Sequence, residues 1–359
     1  MNHTHRTAFD HFRPRRFLAG LLVALLLARL SAARGETGRL NLFIWSEYID
    51  PKIVARFERE NQCRVTIDLY EDAESMLAKI QAGGVAQYDV VVPPDHLVTA
   101  LIKLKLLAPL RPANLPNLKN LDPTFANPPF DRGNRYTVAY QWGTVGVFAR
   151  RTGGPLPPPT WGVFFDPAQQ AGTFVLLDSV RDLVGAALKY KGHSLNSTDP
   201  AELKEARDLI VEAKRRCAGM DGSVGARNKV LAKSARVAMA YSGEGVRGMT
   251  DDKDTFYFLP REGSQIWLDN LAIPARAPHR DLAEKFLNFI LDAQIGAQLS
   301  SFTQFATPNL AAMAYIPAAD RANLAIYPPA EVRAKLEFLE DLGGKTRLYD
   351  EIWTQVKAR

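Results

Sequence analysis

The sequence is poor in the side chains that bind metals or carry out covalent catalysis. Its 359 residues include two cysteines and six histidines, and only His96, His193 and His279 among the histidines lie beyond residue 34. Their spacing fits no metal-ligand motif. The chain also lacks the G-x-S-x-G nucleophile motif and the lysine-containing phosphate-binding loop. We therefore predict no catalytic residues, no metal site and no cofactor.

The two cysteines do not indicate a disulfide. Cys63 precedes a predicted strand, whereas Cys217 ends a predicted helix far along the chain. In an oxidising compartment two such residues can pair, but their placement favours two separate thiols, each buried or half-buried.

Long apolar runs are scarce as well, and the one basic, apolar stretch lies at the start of the chain. Residues 1–34 contain six arginines against a single aspartate, so five of the six net positive charges fall there. The basicity is therefore no argument for nucleic acid binding. The apolar run 17–28 is short for a membrane span, and small residues follow it. We predict a signal peptide over residues 1–35 and a periplasmic mature protein; an uncleaved anchor and a twin-arginine export signal are the alternatives.

Beyond this leader, strands and helices alternate in two successive series, which is typical of α/β proteins with crossover helices. The first series begins near residue 40 and the second near residue 173. We also expect a pair of strands over residues 136–148 and a single helix over residues 280–299.

Aromatic and acidic side chains collect where the predicted strands end. Ligands of open α/β sheets bind beyond the carboxyl ends of the strands. These side chains, with their polar neighbours, are Trp45, Ser46, Tyr48, Asp95, His96, Asp182, Tyr241, Glu244, Trp267 and Asp269.

The run Ser264–Pro274 shows the chemistry that this pattern favours. Trp267 and Asp269 are two residues apart, so both face the same side if the run is extended. An indole face attracts a cation through its quadrupole, and a carboxylate accepts its hydrogen bonds. The pair therefore suits an organic cation; the structural alternative is a core tryptophan next to an aspartate that caps a turn.

A glycine-rich segment imitates a nucleotide-binding motif. Residues Gly243–Gly248 match the dinucleotide pattern G-x-G-x-x-G and follow a predicted strand. We expect no dinucleotide there, because the next predicted strand begins near Thr255 and leaves too few residues for a crossover helix.

Several longer stretches, taken in order, carry a family resemblance. They are Phe43–Tyr48, Tyr88–Pro93, Tyr140–Thr144, Ser197–Pro200, Trp267–Pro274, Thr307–Asn309 and Tyr327–Lys335. Over residues 39–359 the chain resembles the periplasmic spermidine/putrescine-binding proteins of ABC transporters.

The resemblance implies a two-lobed periplasmic-binding-protein fold of type II. Each lobe is then a mixed, mostly parallel sheet with flanking helices, and the ligand cleft lies between the lobes. The implied first lobe comprises residues 38–143 and 268–313, and the second comprises 148–263 and 317–359. Hinge crossings are implied near residues 144–147, 264–267 and 314–316.

The resemblance also implies roles for the strand-end residues. An aromatic box around the ligand's methylene chain is implied for Trp45, Tyr48, Tyr241, Trp267 and Phe305. Ser46 would hydrogen-bond an amine, and the ammonium groups would pair with Asp182, Glu244 and Asp269. His96 and Phe305 stand where spermidine binders tend to have tyrosine, and Ser179 stands where they tend to have an acid. Glu244 and the run 327–335 are more similar to putrescine-preferring members, which favours a diamine.

The implied function is a monomeric periplasmic receptor that binds putrescine, spermidine or both and delivers the ligand to an inner-membrane ABC permease. Three alternatives stay open. One is a sensor that presents the bound polyamine to a membrane receptor, and another is a binder of a different cationic solute. The third is an enzyme acting on amines, although the sequence shows no nucleophile–base pair or cofactor motif for it.

Overall fold

The computed structural model describes residue 1 and residues 38–358, so the predicted signal peptide lies outside the described residues apart from Met1. The strands of the described part are β1 (Gly38–Trp45), β2 (Cys63–Tyr70), β3 (Val90–Val91), β4 (Thr137–Arg150), β5 (Phe174–Leu177), β6 (Met220–Asp221), β7 (Val237–Tyr241), β8 (Thr255–Phe258), β9 (Ser264–Ala272) and β10 (Leu336–Glu337).

Helices separate most of these strands. They are α1 (Pro51–Asn61), α2 (Ala73–Gln81), α3 (Asp95–Lys103), α4 (Gly162–Phe165), α5 (Val180–Tyr190), α6 (Pro200–Arg216), α7 (Ser223–Leu231), α8 (Ser242–Asp251), α9 (Arg280–Ile290), α10 (Ala293–Thr303), α11 (Ala318–Arg321), α12 (Ala330–Arg333) and α13 (Thr346–Ala358). Short 3₁₀ turns lie at Gly84–Ala86, Pro112–Asn114, Pro116–Asn120, Leu310–Ala314 and Gly343–Lys345.

The strands form one continuous hydrogen-bonded path in the order β2-β1-β3-β9-β4-β7-β5-β6, with β8 paired to β4 and β10 to β9. Both outer parts are parallel: β1 with β2 and β3, and β5 with β6 and β7. The central pair β4–β9 is antiparallel. Along β4 the partner changes after Thr144, from β9 to β7 and β8. Strands β4 and β9 therefore join the two parallel series into one sheet.

Local signals in the sequence explain where the helices begin. Asp50 accepts a hydrogen bond from the backbone of Lys52, and Pro51 occupies the first helical position of α1. Asp199 and Pro200 start α6 in the same way. The buried residues Ile53, Val54 and Phe57 then fall on one face of α1 and pack against the core.

Three elements differ from the sequence-based expectations. Residues 137–150 form a single long strand, not a strand pair, because the whole segment crosses the centre of the sheet. The expected helix 280–299 is two helices: Asp292 is extended, and its carboxylate caps α10 by accepting hydrogen bonds from the backbone of Gln294 and Ile295. The glycine-rich segment Gly243–Gly248 lies inside α8, which connects β7 to β8 on the opposite side of β4.

The last difference corrects our argument against a dinucleotide site. A crossover helix does fit between β7 and β8, so the expected shortage of residues was wrong. The glycines serve packing: a Cβ atom at Gly245 would lie 2.4 Å from the Tyr257 ring, and one at Gly248 would lie 2.3 Å from the Phe148 ring. The pattern thus reflects a helix seated on aromatic rings.

Two further expectations can be compared with the described residues. Cys63 is buried, Cys217 is half-buried, and both are free thiols. No helix within residues 38–358 has the length and apolar character of a membrane span.

Candidate functional site

Four of the predicted aromatic side chains form a continuous wall of rings, of which Tyr48, Trp267 and Phe305 are buried and Tyr241 is half-buried. Phe305 contacts Tyr48 edge-to-face with 5.6 Å between centroids, and it contacts Trp267 in the same way at 5.0 Å. Trp267 in turn meets Tyr241 at 6.0 Å. These residues come from the turn after β1, the end of β7, the middle of β9 and the segment after α10. We call Tyr48, Tyr241, Trp267 and Phe305 the aromatic wall.

Two glycines make room for the aromatic wall. A Cβ atom at Gly143 of β4 would lie 2.5 Å from the Trp267 ring, and a Cβ atom at Gly243 of α8 would lie 2.6 Å from the Phe305 ring. Both distances are shorter than any ordinary contact, so a larger residue at either position would displace a ring.

Three buried carboxylates lie beside this wall. Asp182, in the first turn of α5, accepts a hydrogen bond from the Tyr241 hydroxyl at 2.7 Å. Asp269 stands in β9, next to the only irregularity in its pairing with β4, where Tyr140 is an extra residue. Such a bulge redirects side chains locally. Asp95 begins α3 and accepts a hydrogen bond from the backbone of Leu268 at 3.1 Å. We call Asp95, Asp182 and Asp269 the aspartate cluster.

The aspartate cluster has the electrostatics of a site built for positive charge. Burial raises the pKa of Asp269 well above 3.8, and the nearby charges of Asp95 and Asp182 raise it further. Burial also raises the pKa of Asp182, against the opposing effect of the Ser179 and Tyr241 hydroxyls. A cation placed among these groups would stabilise their ionised forms and reverse these shifts.

Hydrogen-bond donors remain available at the same place. The Tyr48 hydroxyl and the Trp267 indole N–H are buried and have no partner of standard geometry. The Tyr48 hydroxyl is still close enough to Asp269 to oppose the rise in its pKa. Burial raises the pKa of Tyr48 itself, so its hydroxyl stays protonated.

The other predicted residues of this region surround the cluster less closely. Trp45 stacks obliquely on Tyr70 at 4.5 Å, and its buried indole N–H has no partner. Ser46 follows it and is half-buried. His96 lies next to Asp95, with 3.4 Å between its Nδ1 atom and the Asp95 carboxylate. Its charge, when present, acts on Asp182.

Glu244 is placed differently from the other predicted acids. It is buried on α8, but its carboxylate is already paired on both sides. Arg227 of α7 donates to one oxygen at 2.5 Å, and Arg247 donates to the other. Arg247 also reaches Glu47, 3.1 Å away on the turn after β1. The structure thus brings Glu244 to the neighbourhood of the aromatic wall without leaving its carboxylate free.

Sequence reasoning located Asp95 at a strand end without selecting it as a site residue, and it missed Arg227 and Arg247. The strand-end rule that singled out Asp182 applies equally to Asp95, which follows β3. For Trp267 and Asp269 the expected position at a strand end was wrong, because both lie inside β9. No comparable signal exists for the arginines, because their role depends on how α7 packs against α8.

The assembled side chains can hold a flexible organic cation. Rings cover methylene groups and attract charge, while carboxylates and hydroxyls bind ammonium hydrogens. They do not resemble a metal site: among residues 38–358 there is no cluster of histidine, cysteine and acidic side chains able to hold a metal ion.

Comparison with known proteins leads to the same class. The profile of the family described as bacterial extracellular solute-binding protein matches residues 52–325. A putrescine/cadaverine-binding protein of Pseudomonas aeruginosa is 34% identical, with 94% of this chain and 99% of that protein covered. The spermidine/putrescine-binding periplasmic protein of Escherichia coli is 29% identical, with 93% and 96% covered.

A solved structure supports the fold. The putative spermidine/putrescine ABC transporter protein from Listeria monocytogenes superposes with a TM-score of 0.84 at 32% identity, covering 89% of this chain and 99% of that one. The predicted two-lobed binding-protein fold and the family resemblance are therefore confirmed. The exact lobe boundaries and the hinge crossings stay predictions. The chain belongs to the family of bacterial extracellular solute-binding proteins.

Proposed function

We propose that this protein is a periplasmic receptor that binds a polyamine, putrescine or spermidine, and delivers it to an inner-membrane ABC permease. One observation carries the proposal: three buried carboxylates lie beside a wall of four aromatic rings. The names of two relatives agree with it, since one is a putrescine/cadaverine-binding protein and the other a spermidine/putrescine-binding periplasmic protein.

The aspartate cluster and the aromatic wall divide the recognition between them. The ammonium groups pair with Asp182 and Asp269, and the Tyr48 hydroxyl holds the Asp269 side of the site. The rings of Trp267, Tyr241 and Phe305 cover the methylene chain. Trp45, Ser46 and His96 border the site from the end of β1 and the start of α3.

A binding experiment tests the ligand class. Purified mature protein is mixed with putrescine, spermidine, butylamine, an amino acid or a sugar, and its melting temperature is measured. Putrescine or spermidine should raise it through mass action, whereas butylamine, with one charge, should do so weakly and the sugar not at all. If no polyamine changed the melting temperature at millimolar concentration, the proposal would be wrong.

A second measurement tests for turnover of the ligand. Mass spectrometry after incubation with the protein should recover the polyamine unchanged, as expected of a receptor and not of an enzyme.

Uptake measurements test the transport role. Cells in which the gene is deleted should lose uptake of labelled putrescine or spermidine and regain it with the wild-type gene. Normal uptake in the deleted strain, together with tight binding in vitro, would instead favour a sensor. The secreted protein should have an intact mass that corresponds to a start near residues 33–37.

A further inference from the structure

The ion pairs of Glu244 bear on which polyamine the site accepts. Arg227, Glu244, Arg247 and Glu47 form a row of alternating charges that runs from α7 across α8 to the turn after β1. The side chains of Arg227, Glu244 and Arg247 are 11%, 5% and 18% exposed, whereas that of Glu47 is 48% exposed. Two carboxylates and two guanidinium groups make the row neutral. We call it the arginine row.

The charge of the aspartate cluster is compensated only in part. Its three carboxylates face one nearby guanidinium, that of Arg181, which acts on Asp182 and Asp95. Arg181 makes its own hydrogen bonds to the carbonyl of Glu340 and the side chain of Asn196, and not to the cluster. Counted with ionised carboxylates and an uncharged His96, whose ring lies 3.4 Å from Asp95, three negative charges against one positive leave a formal charge of minus two.

The arginine row borders the same ligand site. Gly243 directly precedes Glu244, and a Cβ atom added there would lie 2.6 Å from the Phe305 ring of the aromatic wall. Tyr241, two residues before Gly243, hydrogen-bonds Asp182.

At the other end of the row, Arg247 pairs with Glu47, which directly precedes Tyr48 of the aromatic wall. The arginine row therefore adjoins the aromatic wall at two places, next to Phe305 and next to Tyr48.

From these placements we infer that Arg227 and Arg247 are specificity residues that restrict the site to diamines. By neutralising Glu244 they remove the carboxylate that a third ammonium group would need. A diamine satisfies the charge of the aspartate cluster, whereas a triamine brings one further charge toward fixed cations. This inference rests on the proposed polyamine-binding function. It assigns Glu244 a different role from the sequence-based one: Glu244 anchors the arginines and does not itself bind an ammonium group.

The test measures a ratio of affinities. The dissociation constants of putrescine and spermidine are determined by titration calorimetry at neutral pH for the wild type, Arg247→Gln, and the double variant Arg227→Gln/Arg247→Gln. The wild type should prefer putrescine. Removing the guanidinium groups frees Glu244 to pair with an ammonium group. The affinity for spermidine relative to that for putrescine should therefore rise by about tenfold or more, as expected for one desolvated charge pair.

Two controls separate selectivity from general effects. Arg247→Lys keeps the cation and should keep the wild-type ratio. Arg215→Gln removes an exposed arginine that pairs with Glu212 far along α6, and it should leave both constants unchanged. If the double variant does not fold, Arg247→Gln decides, because its side chain is partly exposed.

The outcomes are distinct. If the variants bind both amines with the wild-type ratio, or if the wild type prefers spermidine, the inference is wrong while the receptor function stands. If the wild type binds no amine, the proposed function itself fails.

Discussion

The two acidic ends of the site differ in what faces their carboxylates. Asp269 and Asp182 are buried among rings and other carboxylates, and burial raises the pKa of each. Glu244 is equally buried but pairs with Arg227 and Arg247. Asp182 and Glu244 both follow strands of the sheet, whereas Asp269 lies inside β9. The comparison shows that the partner supplied by a neighbouring helix, and not the position after a strand, decides whether an acid is left for a ligand.

The strongest test of this difference is Asp269→Asn. The variant keeps the shape of the side chain but removes the charge, so putrescine or spermidine should bind more weakly by about 2–4 kcal/mol, the range for a broken buried charge pair. The ligand-free protein should be no less stable at neutral pH, because the lost carboxylate was buried without a cation.

Calorimetric titration and denaturant unfolding of the same sample measure both quantities. Asp208→Asn, an exposed aspartate on α6, controls for the change in net charge. Unchanged affinity in Asp269→Asn would mean that Asp269 has a structural role and does not bind the ligand.

A second test uses pH. An acid whose pKa is raised on folding keeps its proton more tightly in the folded state, so protonation of Asp269 and Asp182 favours the ligand-free fold. That stabilisation is complete below pH 3.8 and is lost as the pH rises through the raised pKa values. An ammonium ligand requires the ionised forms, so its affinity should fall as the pH is lowered from neutral toward 3.8. Titrations across this range should show a shallower dependence in Asp269→Asn; an identical profile would contradict the assignment.

The third test separates the rings from the charges. In Gly143→Ala the new methyl group would overlap the Trp267 ring, while the aspartate cluster is untouched. Overpacking of this kind costs about 1–3 kcal/mol, and we expect the loss to appear both in stability and in polyamine affinity. Gly344→Ala, whose added methyl group meets open space, is the matched control. If Gly143→Ala lowers stability alone, the aromatic wall contributes packing and not recognition.

The smallest expected effect concerns the outer end of the arginine row. Glu47→Gln breaks the pair with Arg247 at an exposed carboxylate, where ion pairs contribute about 0–1 kcal/mol. Melting temperature and putrescine affinity should therefore change little, in contrast to Asp269→Asn. An effect of similar size in both variants would mean that the acids at the two ends of the site contribute equally to ligand binding.

Much of this site was predictable because it follows from local rules. Alternation along a strand placed Trp267 and Asp269 on one face, and the strand-end rule found Asp182 and Tyr241. Their mutual contacts were implied only by the resemblance. The arginine partners of Glu244 could not be predicted, since Arg227 lies 17 residues away and meets it only through the packing of α7 on α8. No dinucleotide site was expected at the glycine pattern, but the packing that explains the glycines was not predictable, since Gly248 meets Phe148, which lies 100 residues earlier in the chain.

The position of β9 in the sheet has a consequence for folding. Strands β3 and β4 follow each other along the chain, yet β9 lies between them in the sheet. The first parallel series therefore cannot join the second until residues 264–272 have arrived, more than a hundred residues after β4. Pairings between segments so distant in sequence slow folding, because the entropy of closing the long loop is lost before the stabilising contacts form. Strand β9 is also the link between the two series, so its loss would interrupt the sheet between β3 and β4.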